Sequence, residues 1–302
     1  MRVAVLSLSS CLGCQYVLLS MEEYFYTFIG ENAIPYAPFL LDQKELPEVD
    51  LLLLEGTVRH GDDFRRLREA RQKADKLVAL GTCACFGGVP GLADLLTEER
   101  MMRMRYGEGA VIEGAPQGVK RLLPVDAYVS VDAFLPGCPP PEDLLQGFLK
   151  LALSGTLPSR LGATVCSECG VTSPPRTREG LRRLLSSVPE AGKCLLEQGF
   201  ICMGPLTRDG CNALCPSSYG VPCGGCRGPC DEALLPPFQD LKGETLRRME
   251  RATGERKEVL EREIKDTAHS FFRYCLAEPL LRRRRPGGTA TLLRRLGGEG
   301  RR

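Results

Sequence analysis

Val3-Ala4-Val5-Leu6-Ser7-Leu8-Ser9-Ser10-Cys11-Leu12-Gly13-Cys14 is the stretch from which the fold is read. Residues 3–8 form an apolar run of strand length, and a Cys-x-x-Cys pair follows at once. The pattern returns along the chain. Residues 49–54 read as a buried strand, with Leu51 to Leu54 flanked by Asp50 and Glu55. Residues 76–80 form another, which ends at Gly81 and runs into Gly81-Thr82-Cys83-Ala84-Cys85. Residues 127–131 are expected as the last strand, ahead of Pro136-Gly137-Cys138-Pro139-Pro140. A strand over 34–41 carries Pro35 and Pro38, so it belongs at an edge or is irregular. Helical patterns fill the gaps at 16–29, 62–75 and 142–153, and an insertion-like stretch at 90–124 carries a helical signal at 101–105. Strands alternating with helices predict an α/β fold: a parallel sheet with helices on both faces.

In such a sheet, ligands bind beyond the carboxyl ends of the strands. Cys11, Cys14, Cys83 and Cys138 all fall there, so four thiolates can gather around one metal centre. Glycines beside Cys14, Cys83 and Cys138 allow close backbone approach and N–H donation to sulfur. Three other readings use the same residues: a structural zinc site, a redox pair made of Cys11 and Cys14 alone, or buried inert thiols.

Composition narrows the class. The chain has 302 residues, 43% hydrophobic and 26% charged, enough for a real core. Its fifteen cysteines are an odd count in a long chain with no secretory leader pattern at its start. That favours metal or redox chemistry in a reducing cytoplasm over a disulfide scaffold. Only two histidines, His60 and His269, are present, which argues against a centre built on several imidazoles. The net charge of +2 gives no global reason to expect a nucleic-acid or membrane partner, and no apolar run approaches a membrane span. The basic charge is concentrated at the end: residues 282–302 hold eight Arg against one Glu, so the rest of the chain is acidic.

Residues 159–237 are different in kind: dense in Cys, Gly and Pro, with little periodicity. Cys166, Cys169, Cys194, Cys202, Cys211, Cys215, Cys223 and Cys226 place eight cysteines within 61 residues. Two further four-ligand sites are expected. Zinc ribbons usually pair two Cys-x-x-Cys knuckles per site, whereas this spacing is irregular, which suits iron–sulfur clusters better. Three regions follow: 1–158 with the sheet, 159–237 with two metal sites, and 238–302 as a helical extension with a basic tail.

The ordered set Cys11-x-x-Cys14, Glu55-Gly56, Gly81-Thr82-Cys83-Ala84, Gly87-Gly88 and Pro136-Gly137-Cys138-Pro139-Pro140 resembles the small subunit of NiFe hydrogenases. So does the later run Cys194, Cys202-Met203-Gly204-Pro205, Cys211 and Pro222-Cys223-Gly224-Gly225-Cys226. The likeness covers about residues 3–230 and is nearest to the delta subunit of cytoplasmic sulfhydrogenases, with the coenzyme-F420-non-reducing hydrogenases close behind. It implies a flavodoxin-like first domain, a cluster-binding second domain and three 4Fe-4S clusters. The proximal one would fall on Cys11, Cys14, Cys83 and Cys138. The distal one would fall on Cys166, Cys169, Cys194 and Cys202, and the medial one on Cys211, Cys215, Cys223 and Cys226. Exported members often have His where Cys166 stands and lack a counterpart of Cys215; they also carry a twin-Arg leader. These departures fit the cytoplasmic branch. Cys85, Cys230 and Cys275 are left without a role.

The resemblance implies an electron-transfer subunit that serves a NiFe site in a large-subunit partner and passes electrons to NAD(P)-linked flavin and iron–sulfur subunits. Glu55, at the end of a buried strand, is either a proton-relay or interface carboxylate, or a strand-end carboxylate satisfied by local backbone N–H groups. Two rivals stand beside this reading. One is a single-cluster electron carrier of a complex I-like respiratory enzyme; the other is a non-enzymatic protein stabilised by zinc.

Overall fold

Four apolar runs and one Pro-containing edge segment build the sheet. In the computed structural model its strands are β1 Arg2–Ser7, β2 Ala33–Tyr36, β3 Val49–Glu55, β4 Ala74–Leu80 and β5 Ala133–Leu135. Their order is β2-β1-β3-β4-β5 and every pairing is parallel. This is the flavodoxin-like order, whose ligand crevice opens between β1 and β3. The structure describes residues 1–109, 112–114, 116–158, 163–172, 180–183, 187–234 and 240–281.

Central parallel strands are covered on both faces, which is why β3 is apolar at consecutive positions. Leu52, Leu53 and Leu54 are fully buried. Leu51 and Leu53 pack with Val3, Val5, Leu18, Val78, Leu80 and Leu145 in one core. Alternation along the strand sends Leu52 and Leu54 to the other face. β2 is a four-residue edge strand; beyond it the amides of Leu40 and Leu41 both donate to Ala37 O in a turn at 2.8 Å.

The helical pattern over 16–29 forms two helices, α1 Gly13–Ser20 and α2 Glu22–Glu31, joined at Met21. Helix α3 spans Gly61–Lys73. Buried Asp63 fixes its start by accepting from Ser9 Oγ (2.7 Å) and the amides of Arg59 (2.9 Å) and His60 (3.3 Å). α4 Gly81–Phe86 follows β4 directly. α5 Glu98–Tyr106 is capped by Thr97, whose hydroxyl accepts from the Arg100 amide, and α6 Glu142–Leu153 packs Leu145 and Leu149 onto the sheet.

The last strand differs from expectation. Residues 127–131 are not a strand; Val125–Ala127 is a 3-10 turn, and β5 begins at Ala133. The cause is Asp132. Its carboxylate accepts from the Leu77 amide (2.8 Å) and from Arg71 (2.6 Å), so the chain joins the β4 edge only beyond that anchor.

Two compact units emerge. The first is Met1–Ser159 together with Tyr274–Glu278. There Ala277 packs so closely on Gly87 that a Cβ on the glycine would lie 2.3 Å from the alanine methyl. The second unit is built from the described residues of Arg160–Arg273 and Pro279–Arg302. It contains the short helices α7 Val165–Glu168, α8 Leu214–Ser218 and α9 Asp231–Leu234, connected by irregular loops. Then come α10 Leu241–Thr253, α11 Lys257–Glu263 and α12 Thr267–Phe271. Residues 240–281 thus form three helices where one or two were expected, because Gly254, at φ +73°, closes α10 early. The basic tail at 282–302 lies outside the described residues. Among the described residues no helix is long and apolar enough to cross a membrane.

Candidate metal centres

Three loops at the carboxyl edge of the sheet bring four thiols together. Cys11 and Cys14 lie between β1 and α1, Cys83 in α4 after β4, and Cys138 in the loop after β5. Burial raises the Cys14 thiol, followed by the influence of Glu55 and of Cys83, Cys138 and Cys11. Burial, then Cys138, Cys11 and Glu55, pushes Cys83 up to about 12. Cys138 is raised by burial and by Cys11. Cys14, Cys83 and Cys138 are each raised by other thiols of the group, so the four lie close to one another, and a bound cation relieves that opposition.

Two glycines let the backbone pack directly against the sulfurs. A Cβ on Gly81 would sit 2.3 Å from Cys14 Sγ, and one on Gly88 would sit 2.7 Å from Cys83 Sγ. Both glycines have positive φ, +80° and +54°, which a side chain rarely tolerates. Thr82 sets the register of the loops. Its amide donates to Gly137 O and its hydroxyl accepts from the Gly137 amide, each at 2.9 Å. The residues immediately before Cys83 and Cys138 are thereby tied together.

Glu55 lies at the crevice between β1 and β3. It is 1% exposed, and its Oε1 accepts from Ser7 Oγ (2.7 Å), Ser10 Oγ (3.0 Å) and Gln15 Nε2. Side chains therefore hold this oxygen, and not the local backbone amides that the strand-end alternative called for.

In the second unit, Cys166, Cys169, Cys194 and Cys202 form a second group. Burial, then Cys202, Cys169 and Cys194, pushes Cys166 up to about 12, while Arg248 opposes the rise. Burial pushes Cys202 up to about 11 against the amides of Gly204 and Cys223, which favour its thiolate. The Cys223 amide reaches Cys202 Sγ at 3.4 Å. A Cβ on Gly204 would meet Cys166 Sγ at 3.3 Å and Cys202 Sγ at 3.6 Å. The remaining four cysteines are seen as two pairs. Cys215 is raised by burial and by Cys211; Cys223 is raised by burial and by Cys202, with Cys226 a smaller influence. Buried Arg227 feels both Cys211 and Cys226, which spans the pairs. Among the described residues no three His, Cys, Asp or Glu side chains are close enough to grip a single ion.

The leftover cysteines sit elsewhere. Cys85 is buried and donates to Ala79 O at 3.3 Å. Cys230 is raised by burial, and its charged neighbours are Arg208, Glu232 and Asp231. Cys275 is buried beside Glu278. Sequence reading missed Thr82 as a tie and Glu168 altogether. The Glu168 carboxylate accepts from the amides of Gly210 (2.7 Å), Cys211 (3.2 Å) and Ala213 (3.3 Å), so a residue between Cys166 and Cys169 holds the loop of Cys211. Its place inside a Cys-x-x-Cys was the available signal.

Comparison with known proteins shows the family. The family model of the 20 kDa subunit of NADH ubiquinone oxidoreductase matches residues 11–151. The G chain of the vhu F420-non-reducing hydrogenase of Methanococcus voltae is 36% identical over 288 residues, 93% of this chain and 96% of that one. Sulfhydrogenase 2 subunit delta of Pyrococcus furiosus is 32% identical over 247 residues, 82% of this chain and 94% of that one. A crystal structure of an NAD+-reducing NiFe hydrogenase in the H2-reduced state has a chain that is 29% identical, with a TM-score of 0.49, covering 53% of this chain and 94% of that chain. With the identity running through both units, this chain belongs to the family of hydrogenase G and delta subunits, the electron-transfer small subunits of NiFe hydrogenases.

Proposed function

We propose that this chain carries three 4Fe-4S clusters and passes electrons between the NiFe site of a large-subunit partner and NAD(P)-linked flavin and iron–sulfur subunits in the cytoplasm. The observation that carries the reading is the convergence of Cys11, Cys14, Cys83 and Cys138 from three separate strand ends. Four thiols brought together from three separate loops suit a polynuclear centre, in which each iron takes one thiolate. The second site would use Cys166, Cys169, Cys194 and Cys202, and the third Cys211, Cys215, Cys223 and Cys226.

When bound, such clusters supply reversible one-electron chemistry. The chain's own residues prepare for them. Gly81, Gly88 and Gly204 leave space against the sulfurs. The amides of Gly204 and Cys223 favour charge on Cys202, and the Gly225 amide and the Thr207 hydroxyl do the same for Cys223. Glu55, oriented by Ser7, Ser10 and Gln15, is placed to relay a proton or to meet the partner at the edge of the first site.

The single-cluster rival draws on the matched family model, but that match stops at residue 151, before Cys166. The similarity to the G and delta subunits continues through the second unit. Metal analysis of the purified full chain tests the proposal. Three clusters require about twelve iron and twelve sulfide per chain, a single cluster about four of each, and a zinc protein no sulfide. Reduction of NAD(P) by hydrogen in the purified complex tests the acceptor. Its failure, with iron and hydrogen uptake intact, would remove that partner from the reading.

A further inference from the structure

We infer that the second unit carries a binding site for an organic phosphate, a small molecule with a phosphate group on an apolar body. The site is a cavity of about 440 Å³ between α12 and the loops of Arg182, Phe200 and Pro222. It is separate from the thiol groups: of the twelve proposed ligands, only Cys223 is among the described residues that line it.

Three guanidinium groups line the cavity, and each is held in its own way. The Arg182 guanidinium stands over the Phe200 ring, 5.4 Å from its centroid, and the Arg182 amide donates to Gly199 O at 3.0 Å. Arg183 Nη2 donates to Asp266 Oδ1 at 3.1 Å. Arg273 Nη2 lies 3.0 Å from His269 Nδ1. A guanidinium has no acceptor atom, so Nδ1 accepts and the ring proton sits on Nε2, which adds a neutral donor to the rim. Asp266 is the one carboxylate among the described lining residues, so three cations meet one anion and the lining is net positive. Ile201 and Pro222, both part-buried, supply an apolar wall.

The excess of positive charge selects an anion. A phosphate monoester carries a charge of about −1.5 to −2 at neutral pH and three acceptor oxygens, which several guanidinium forks can meet together. A carboxylate offers a single charge and two oxygens. The space selects more than the ion. A water molecule occupies about 30 Å³ of liquid, so one phosphate ion leaves much of the cavity unfilled, and the volume falls in the roughly 300–1,000 Å³ range of small-molecule pockets. An apolar body against Ile201 and Pro222 adds affinity that inorganic phosphate lacks. Because Phe200, Asp266 and His269 already orient the three arginines, little side-chain freedom is lost on binding.

Isothermal titration calorimetry of the full chain with phenyl phosphate, inorganic phosphate and benzoate tests the site. Phenyl phosphate should bind once per chain, at least about tenfold more tightly than either of the others. Arg182→Gln and Arg273→Gln change different segments. Each should weaken phenyl phosphate about tenfold or more, with circular dichroism showing the variant folded. Arg65→Gln, at an exposed position of α3 in the other unit, should bind as wild type does. No binding of phenyl phosphate by the wild-type chain would overturn the inference. So would undiminished binding in both arginine variants, since the phosphate would then be held elsewhere. Benzoate bound as tightly as phenyl phosphate would refute the selection for phosphate, and inorganic phosphate bound as tightly would refute the apolar body.

Discussion

Replacing Thr82 by Val separates the tie between two ligand loops from the ligands themselves. Thr82 is 1% exposed, and its hydroxyl accepts from the buried Gly137 amide at 2.9 Å. Valine keeps the branched shape but cannot accept, so that amide loses its partner in the interior. Leaving a buried donor unmatched costs about 1–3 kcal/mol. For a unit of this size that corresponds to a fall in melting temperature of about 2–12 °C. The other half of the tie, from the Thr82 amide to Gly137 O, survives in the variant, so the fold persists and the register of Cys83 against Cys138 loosens. Thermal unfolding of the full chain, with iron counted before and after gel filtration, reads both effects. Up to about one third of the iron should be lost, since one of three proposed clusters is affected. Thr82→Ser retains the acceptor and should lie closer to wild type in both measurements. If Thr82→Val unfolds within about 0.5 kcal/mol of wild type and keeps its full iron, the tie does not organise the site.

Four further outcomes are expected. Cys215→Ala should yield a three-iron signal in the oxidised state while the other centres persist, and Cys230→Ala should not, because the charged neighbours of Cys230 are Arg208, Glu232 and Asp231; the reverse result would exchange their roles. Glu168→Ala should lower iron by about two thirds and not one third, as it frees the Cys211 loop from the segment of Cys166 and Cys169; loss confined to one centre would refute the coupling. Glu55→Gln should slow hydrogen turnover of the assembled complex with iron unchanged, and full turnover would remove Glu55 from the proton path. In the metal-free chain, folded Cys83 and Cys202 stay protonated up to about 12 and about 11, against an ordinary 9.0. Unfolding then releases protons above that value, so stability should fall as pH rises from about 9 towards about 12, and urea unfolding that is flat across this range would contradict it.

How much of this was legible in the sequence depended on whether the signal was local. β1, β3 and β4 were readable because strands buried on both faces are apolar without alternation. β5 was displaced because residues 127–131 are as apolar as a strand, while the deciding contact, Asp132 with Leu77 and Arg71, joins positions far apart in the chain. The helix over 16–29 was read as one because its apolar spacing continues across Met21; the turn there, with Glu22 at φ +41°, has no glycine or proline to announce it. Cysteine spacing marked out the groups of thiols. It could not show that Glu55 is held by Ser7, Ser10 and Gln15, since serines and glutamines near a strand end are ordinary surface residues until the fold buries them.

The polar residues that the spacing did not reveal share one geometry: each joins segments that carry different thiols. Thr82 joins the loops of Cys83 and Cys138, and Glu168 reaches from the Cys166 segment to the Cys211 loop. That loop needs the help. Asn212 and Ala213 sit at φ +51° and +47°, a region costly for residues with a side chain, and three amides turned towards one carboxylate offset that cost. A centre with four iron corners constrains four thiols at once, so an error in any one loop is shared by all of them. Placing the ties one residue from a ligand, and not in the hydrophobic core, limits that error where it arises. The irregular second unit, poor in regular strands and long helices around its cysteines, can therefore hold its ligand loops with a few part-buried hydrogen bonds, while the parallel sheet does the same for the first site through its strand ends.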